Sequence, residues 1–165
     1  MATACIFCQI AQKKAPHHLI DENENFMAFL TIFPNTKGAT VVIPKQHYAS
    51  YAFDLEDNVL VELVKYTKTV AKKLDAYFPD VGRTAMVFEG FGVDHVHAKL
   101  FPMHGTVQQQ TNWQAIHSKV DKYFEQYEGY ISSHDYIRAH DNELAALATA
   151  IRTFQCVEKN SDQDS

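Results

Sequence analysis

One long apolar stripe in the middle of the chain constrains the fold more than any other feature. Its helical spacing between residues 55 and 77 predicts a single amphipathic helix. Asp54 is the expected N-cap, and Pro79 and Gly82 end the helix near Phe78. Because a helix with one apolar face must cover a second layer, the flanking segments should form a sheet. The stripe consists of Leu55, Val59, Leu63, Tyr66, Val70, Leu74 and Tyr77.

Five short segments with strand character flank this helix, three before it and two after it. Polar turns separate the first three segments, and the third is β-branched and ends at Pro44. Short sequential strands around one helix predict an α+β fold with an antiparallel five-stranded sheet. The predicted strands are residues 19–21, 26–32, 40–43, 84–88 and 95–101.

The C-terminal part of the chain has a different pattern. We therefore predict a main domain at residues 1–105 and a helical extension at residues 106–165 that packs on it. Residues 113–127 mix aromatic and polar side chains and are predicted to form a helix. Asp141 is expected to cap a second, more clearly amphipathic helix. Its apolar stripe consists of Leu144, Leu147, Ala148, Ile151 and Phe154.

Charge and cysteine content exclude several classes of protein. Fifteen Lys and Arg residues against 20 Asp and Glu residues leave a net charge of −5, which argues against a large basic surface for nucleic acid. No apolar run has the length of a membrane span, and residues 1–11 lack the pattern of a signal peptide. The three cysteines, Cys5, Cys8 and Cys156, favour a reducing, cytoplasmic compartment.

The last predicted strand has the most informative chemistry. Period-two alternation places His95, His97, Lys99 and Phe101 on one face, while the apolar residues between them face the core. A neutral imidazole is a competent nucleophile, and an adjacent ammonium favours phosphate oxygens. The pattern alone leaves an alternative open, namely an exposed polar strand face with incidental histidines.

A Cys-x-x-Cys motif begins the chain. Thiolates at Cys5 and Cys8 can hold one zinc ion, but a closed tetrahedral site needs two further ligands. His47 and His95 are candidates for those ligands. A redox pair or two simply packed thiols remain alternatives at this stage.

Taken together, the order of these motifs resembles the histidine triad (HIT) superfamily. The resemblance covers residues 5–102: the Cys-x-x-Cys pair, a hairpin, the run from Gly38 to His47, the long helix, and the run from His95 to Pro102. It implies an α+β HIT-like domain that hydrolyses or transfers nucleotides. It also implies a homodimer in which residues 84–88 pair across a two-fold axis.

The resemblance also implies roles for individual residues. The second histidine of the motif, His97, would attack the α-phosphorus of a nucleotide and form a nucleotidyl-histidine. Lys99 stands where the family has its third histidine, beside the phosphate. In zinc-containing members the metal lies at the positions of the two cysteines, the histidine after Pro-Lys and the first histidine. A coordinatively full, structural zinc is therefore implied at Cys5, Cys8, His47 and His95.

A nucleotide pocket is implied as well. Apolar side chains would hold the base, and Thr31 stands where many members carry an acid or amide that binds the ribose. Plain core packing is the alternative for the apolar members of this set. The expected pocket residues are Phe7, Ile10, Phe29, Leu30, Thr31 and Ile32.

The resemblance implies a nucleotide hydrolase, and the cysteine content favours a cytoplasmic location. Its substrates would be nucleoside phosphate conjugates such as dinucleoside polyphosphates or nucleoside phosphoramidates. No nucleic-acid or membrane partner is expected. Two alternatives stay open because the third histidine and the ribose acid are replaced: a non-catalytic nucleotide-binding or adaptor protein, and a nucleotidyl transferase with an unknown acceptor.

Overall fold

Five short strands form one antiparallel sheet in the order β1-β2-β3-β5-β4. The computed structural model describes residues 5–117, 119, 122–129 and 137–155. The first three strands form a meander, and β5 lies between β3 and β4. The α+β class and the antiparallel five-stranded sheet are therefore confirmed. The strands are β1 (His18–Glu22), β2 (Phe26–Leu30), β3 (Thr40–Pro44), β4 (Thr84–Val87) and β5 (Ala98–Pro102).

Two helices cover one face of the sheet. The long predicted helix is α2 (Asp57–Tyr77), and the C-terminal helix is α3 (Asp141–Thr153). Both contribute fully buried side chains to the larger core, for example Leu74 and Ile151. Two hydrogen bonds from the C-terminal part, Ala139 N to Ile32 O (2.8 Å) and Arg152 Nη1 to Leu19 O (3.0 Å), tie it to the sheet.

A short helix covers the opposite face. This helix, α1 (Ile6–Ala11), packs over a smaller core of side chains that alternate with those of the larger core along β2 and β3. Residues aligned across the sheet, Leu19, Phe29, Val41 and Lys99, cross this face in one row. The smaller core consists of Ile10, Ala15, Met27, Phe29, Val41 and Ile43. The face under α1 therefore carries the histidine strand's polar side chains.

The last strand begins later than predicted. Residues 95–97 precede β5 because β3 pairs with it only as far as Val42 opposite Ala98. The Val96 amide donates instead to Tyr48 O, and His95 N donates to Val93 O. These bonds satisfy the backbone outside the sheet and leave both histidine rings beside α1.

Other element boundaries also differ from the predictions. Asp54 does not cap α2: it ends a 3-10 helix, and the N-cap is Glu56, whose carbonyl accepts from the first turn. His140, not Asp141, is the N-cap of α3. The described residues of the predicted helix 113–127 lie outside any helix. No periodic signal in the sequence predicts α1, because this helix is too short. No helix in the described parts of the chain combines the length and hydropathy that a bilayer crossing requires.

Candidate active site and metal centre

Four potential metal ligands converge where α1 meets the segment before β5. Cys5 is the N-cap residue of α1, and Cys8 lies in that helix. His47 follows β3, and His95 precedes β5. The ligand atoms all lie within 4.8 Å of one another, so the fold brings together the whole predicted set: Cys5, Cys8, His47 and His95.

The separations within this cluster suit a tetrahedral zinc ion. The Cys5 Sγ–His95 Nδ1, Cys8 Sγ–His47 Nδ1 and Cys8 Sγ–His95 Nδ1 distances are 3.5, 3.4 and 3.6 Å. Ordinary zinc–sulfur and zinc–nitrogen bonds at a tetrahedral angle place the two ligand atoms about 3.6 Å apart. Two thiols and two imidazoles also match the ligand chemistry of structural zinc sites. The residues present therefore fit a zinc ion in their ligand chemistry and in these three separations.

The ring of His95 is oriented so that one nitrogen can bind a metal ion. Its Nε2–H donates to Pro44 O at 2.9 Å, which leaves Nδ1 unprotonated and directed at both sulfurs. The side chain is fully buried, and burial lowers the pKa of His95. Burial also raises the pKa of the Cys8 thiol, and the neighbouring Cys5 raises it further.

His97 lies directly beyond the cluster and has a defined tautomer. Because a carbonyl oxygen can only accept, the 2.7 Å contact to His95 O makes Nδ1 the protonated nitrogen of the neutral ring. Nε2 therefore keeps its lone pair. The ring is only 3% exposed and contacts Phe7 edge-on, with 5.2 Å between ring centroids. Burial first, and the Lys99 ammonium second, lower the pKa of His97.

Lys99 lies on the same face as His97. Its Nζ is 3.6 Å from Glu89 Oε2, and both side chains are largely shielded from solvent. Glu89 also accepts a hydrogen bond from the Tyr127 hydroxyl at 2.9 Å. The ammonium is thus held in a polar network at the edge of the site.

A pocket of about 440 Å³ opens beside His97 and Lys99. All six side chains predicted to bind a nucleotide lie along it, although Leu30 also belongs to the larger core on the other face of the sheet. The Thr31 Oγ1 accepts from Phe33 N at 3.2 Å, which leaves its hydroxyl proton available to a ligand. The predicted set is Phe7, Ile10, Phe29, Leu30, Thr31 and Ile32. The binding roles of these residues stay predictions.

Several pocket residues were not predicted. Gly92 and Val93 precede the histidine motif, while Arg138 and Asp141 come from the C-terminal part of the chain. Asp141 Oδ1 lies 3.1 Å from the Nε2 of His18, 123 residues earlier in the chain. No local sequence signal connects positions so far apart, so only the fold shows their proximity.

Comparison with known proteins gives one family. A family model described as HIT domain matches residues 12–106, so the match begins after the two cysteines. An uncharacterized HIT-like protein of Methanocaldococcus jannaschii is 38% identical over 106 residues, or 61% of this chain and 79% of that protein. An adenosine 5'-monophosphoramidase of Schizosaccharomyces pombe is 35% identical over 103 residues, or 60% of this chain and 74% of that enzyme.

The structural comparison agrees. A zinc-bound histidine triad family protein from Mycobacterium smegmatis aligns with a TM-score of 0.62 at 22% identity. The alignment covers 92% of this chain and 93% of that protein. At this identity the match shows a shared fold, which extends beyond the range of the family model.

Proposed function

Because the chain belongs to the HIT domain family, we propose that it hydrolyses nucleoside phosphate conjugates through a nucleotidyl-histidine on His97. The observation that carries this proposal is the fixed tautomer of His97 at the pocket. The bond from Nδ1 to His95 O leaves Nε2 as the nucleophilic nitrogen. Dinucleoside polyphosphates and nucleoside phosphoramidates are the proposed substrates.

The proposed reaction has two displacements at phosphorus. Nε2 of His97 forms a bond to the α-phosphorus as the bond to the leaving group breaks, and the leaving group keeps that electron pair and takes a proton from solvent. A water molecule then displaces the histidine, gives a proton back to solvent and releases a nucleoside 5'-monophosphate. Two displacements replace one difficult step, and the buried pocket holds the reacting atoms in line.

Lys99 is proposed to neutralise charge on the phosphoryl oxygens. Its ammonium lies on the face that carries His97, and its pairing with Glu89 limits its freedom. A positive charge next to a buried phosphate stabilises the crowded, more negative transition state. Lys99 would therefore act by electrostatics, in the place that the resemblance gives to a third histidine.

A zinc ion at the Cys5, Cys8, His47 and His95 cluster is proposed to be structural. When bound, it would fill its coordination shell with protein ligands and fasten α1 to the segment before β5. The ligand separations support this assignment. So does the zinc-bound state of the Mycobacterium smegmatis protein.

Phosphoramidates are placed among the substrates because of the Schizosaccharomyces pombe relative, an adenosine 5'-monophosphoramidase.

We also propose a homodimer that pairs through β4, which lies at the edge of the sheet with half-buried residues throughout. An edge strand offers unpaired backbone groups to a second copy. The cysteine content of the chain suits a reducing, cytoplasmic location, and we propose that location on this basis.

The test compares turnover of adenosine 5'-phosphoramidate and diadenosine tetraphosphate by the unmodified chain and three variants. His97→Ala should lose about 10³-fold or more in rate, because it lacks the nucleophile. Lys99→Met should lose about 10- to 100-fold through the missing charge. His104→Ala is the matched control: its ring contacts Asp80 and Lys37 and lies outside the pocket. It should keep the original rate.

The alternatives make different predictions in the same assay. When the substrate carries a label in its nucleotidyl group, label that stays on His97 without release indicates a nucleotidyl transferase that lacks its acceptor. Binding without label or turnover indicates a non-catalytic binding protein. Equal turnover by His97→Ala and the unmodified chain overturns the proposed mechanism.

A further inference from the structure

A phenol from the C-terminal part of the chain reaches the polar network beside His97. Tyr127 lies beyond the range that the family model matches, 38 residues after Glu89. Its hydroxyl donates to Glu89 Oε1 at 2.9 Å, which is an ordinary hydrogen-bond length. The C-terminal part therefore contacts the network that holds the Lys99 ammonium.

Glu89 uses its two carboxylate oxygens for different partners. Oε1 accepts from the Tyr127 hydroxyl, while Oε2 lies 3.6 Å from Lys99 Nζ. This second distance is longer than the value of about 2.7–2.9 Å that a charge-assisted hydrogen bond has. The carboxylate therefore stands back from the ammonium by almost an ångström, while its charge still acts on it.

The ring of Tyr127 is held in place by the loop that precedes the histidine motif. It stacks on Phe91, with ring centroids 5.5 Å apart and an interplanar angle of 28°. The same loop is anchored to another segment, because Ser50 N donates to Asp94 Oδ1 at 2.9 Å. Stacking on an anchored loop keeps the Tyr127 hydroxyl directed at Glu89.

The position of Glu89 matters because the charges are shielded. The Lys99 and Glu89 side chains are only 21% and 17% exposed, so solvent screens their interaction weakly. Without the Tyr127 hydroxyl, Glu89 Oε1 loses this donor. The carboxylate would then close on the ammonium to form a direct ion pair and draw it away from the phosphoryl oxygens.

We infer that Tyr127 is a positioning residue of the proposed reaction, which acts through Glu89 on Lys99. This inference rests on the proposed function. Tyr127 does not line the pocket beside His97, so its influence passes through the two charged side chains. The ammonium stabilises the transition state most, because the phosphoryl oxygens carry most charge there. The Tyr127 hydroxyl should therefore affect kcat more than KM.

The test measures kcat, KM and the thermal midpoint with adenosine 5'-phosphoramidate as substrate. Tyr127→Phe removes the hydroxyl and keeps the ring that stacks on Phe91. Its kcat should fall about 5- to 10-fold, with KM changed by less than about twofold and the thermal midpoint unchanged. Tyr123→Phe is the matched control: it makes the same change at a ring that is 88% exposed and should alter none of these values.

A double variant separates positioning from a structural role. In the Lys99→Met background there is no ammonium for Glu89 to attract, so Tyr127→Phe should cause no further loss of kcat. A loss of the same size in both backgrounds indicates that Tyr127 acts independently of Lys99 and overturns the inference. A lower thermal midpoint that accompanies the loss overturns it as well, because the effect is then structural.

The remaining outcomes distinguish this inference from the proposed function. Unchanged kcat in Tyr127→Phe overturns the inference, while the proposed function stands if His97→Ala still loses turnover. Should the unmodified chain turn over neither adenosine 5'-phosphoramidate nor diadenosine tetraphosphate, the proposed function and this inference fail together.

Discussion

Loss of one metal ligand should release α1 and weaken nucleotide binding without unfolding the protein. We choose Cys8→Ser because Cys8 is buried and its sulfur contacts both histidine rings. The larger core contains no residue of α1, so the sheet with α2 and α3 should stay folded. In contrast, Phe7 and Ile10 of α1 line the pocket, so an undocked α1 leaves it incomplete.

The size of the effect follows from the free energy of forming and docking α1 (Ile6–Ala11) without the metal. Nucleating an isolated helix costs about 4 kcal/mol. The modest helix propensities of its residues add about 2 kcal/mol. Burial of Phe7 and Ile10 stabilises the docked helix by about 2 kcal/mol each. The remaining deficit of about 2 kcal/mol is what the metal must supply, and it corresponds to about 30-fold in affinity.

The assay combines metal content, ligand titration and proteolysis. The unmodified chain should contain about one zinc per molecule. Cys8→Ser should contain almost none and bind adenosine 5'-monophosphate about 30-fold more weakly. Its thermal midpoint should fall while the transition stays cooperative. Trypsin should also cleave faster after the exposed Lys13 and Lys14, because cleavage needs local opening.

Cys156→Ser is the matched control, since it makes the same substitution at a cysteine that is not one of the four proposed ligands. It should retain zinc and affinity. A Cys8→Ser protein that keeps its zinc would refute the ligand assignment. A zinc-free protein with undiminished nucleotide affinity would refute the link between the metal and the pocket wall.

Two further predictions concern the scaffold. Gly38→Ala should lower the free energy of unfolding by about 2 to 4 kcal/mol in urea. Gly38 has φ +83, and a Cβ there would lie 2.5 Å from Phe78 Cε2. Gly92→Ala, with open space around its Cβ, should change stability by less than about 0.5 kcal/mol; equal values for both would contradict this account. Ile151→Ala should cost about 2 to 4 kcal/mol, because Ile151 is fully buried in the larger core. The control Asn142→Ala changes an exposed residue of the same helix and should have little effect on stability. An equally small effect of Ile151→Ala would show that residues 106–165 are not a packed extension.

Most of the fold could be predicted from periodicity. The apolar stripe of α2 and the β-branched strands are local signals that tertiary packing reinforces, so the sheet and both longer helices were found. The predicted element boundaries are wrong where side chains or loops form hydrogen bonds with the backbone in place of the regular element. The contacts of His95 and Val96 with Pro44 and Tyr48, for example, replace the first part of the predicted last strand.

The site could be predicted in part. The Cys-x-x-Cys spacing indicates Cys5 and Cys8 as potential metal ligands, the family resemblance implies His47 and His95 as the other two, and the structure brings all four together. The tautomer of His97 depends on the carbonyl of His95, which is a conformational detail. The approach of Asp141 to His18 depends on how α3 docks. Neither has a signature in a single sequence.

The sequence separation of the proposed metal ligands has a consequence for biosynthesis. His95 leaves the ribosome 90 residues after Cys5 and 87 residues after Cys8. At ordinary elongation rates of about 5–20 residues per second, this interval lasts several seconds. During that time the proposed site lacks one of its four ligands, so it cannot close around a metal ion. We therefore expect the two thiols to be more sensitive to oxidation before His95 is made than in the folded protein.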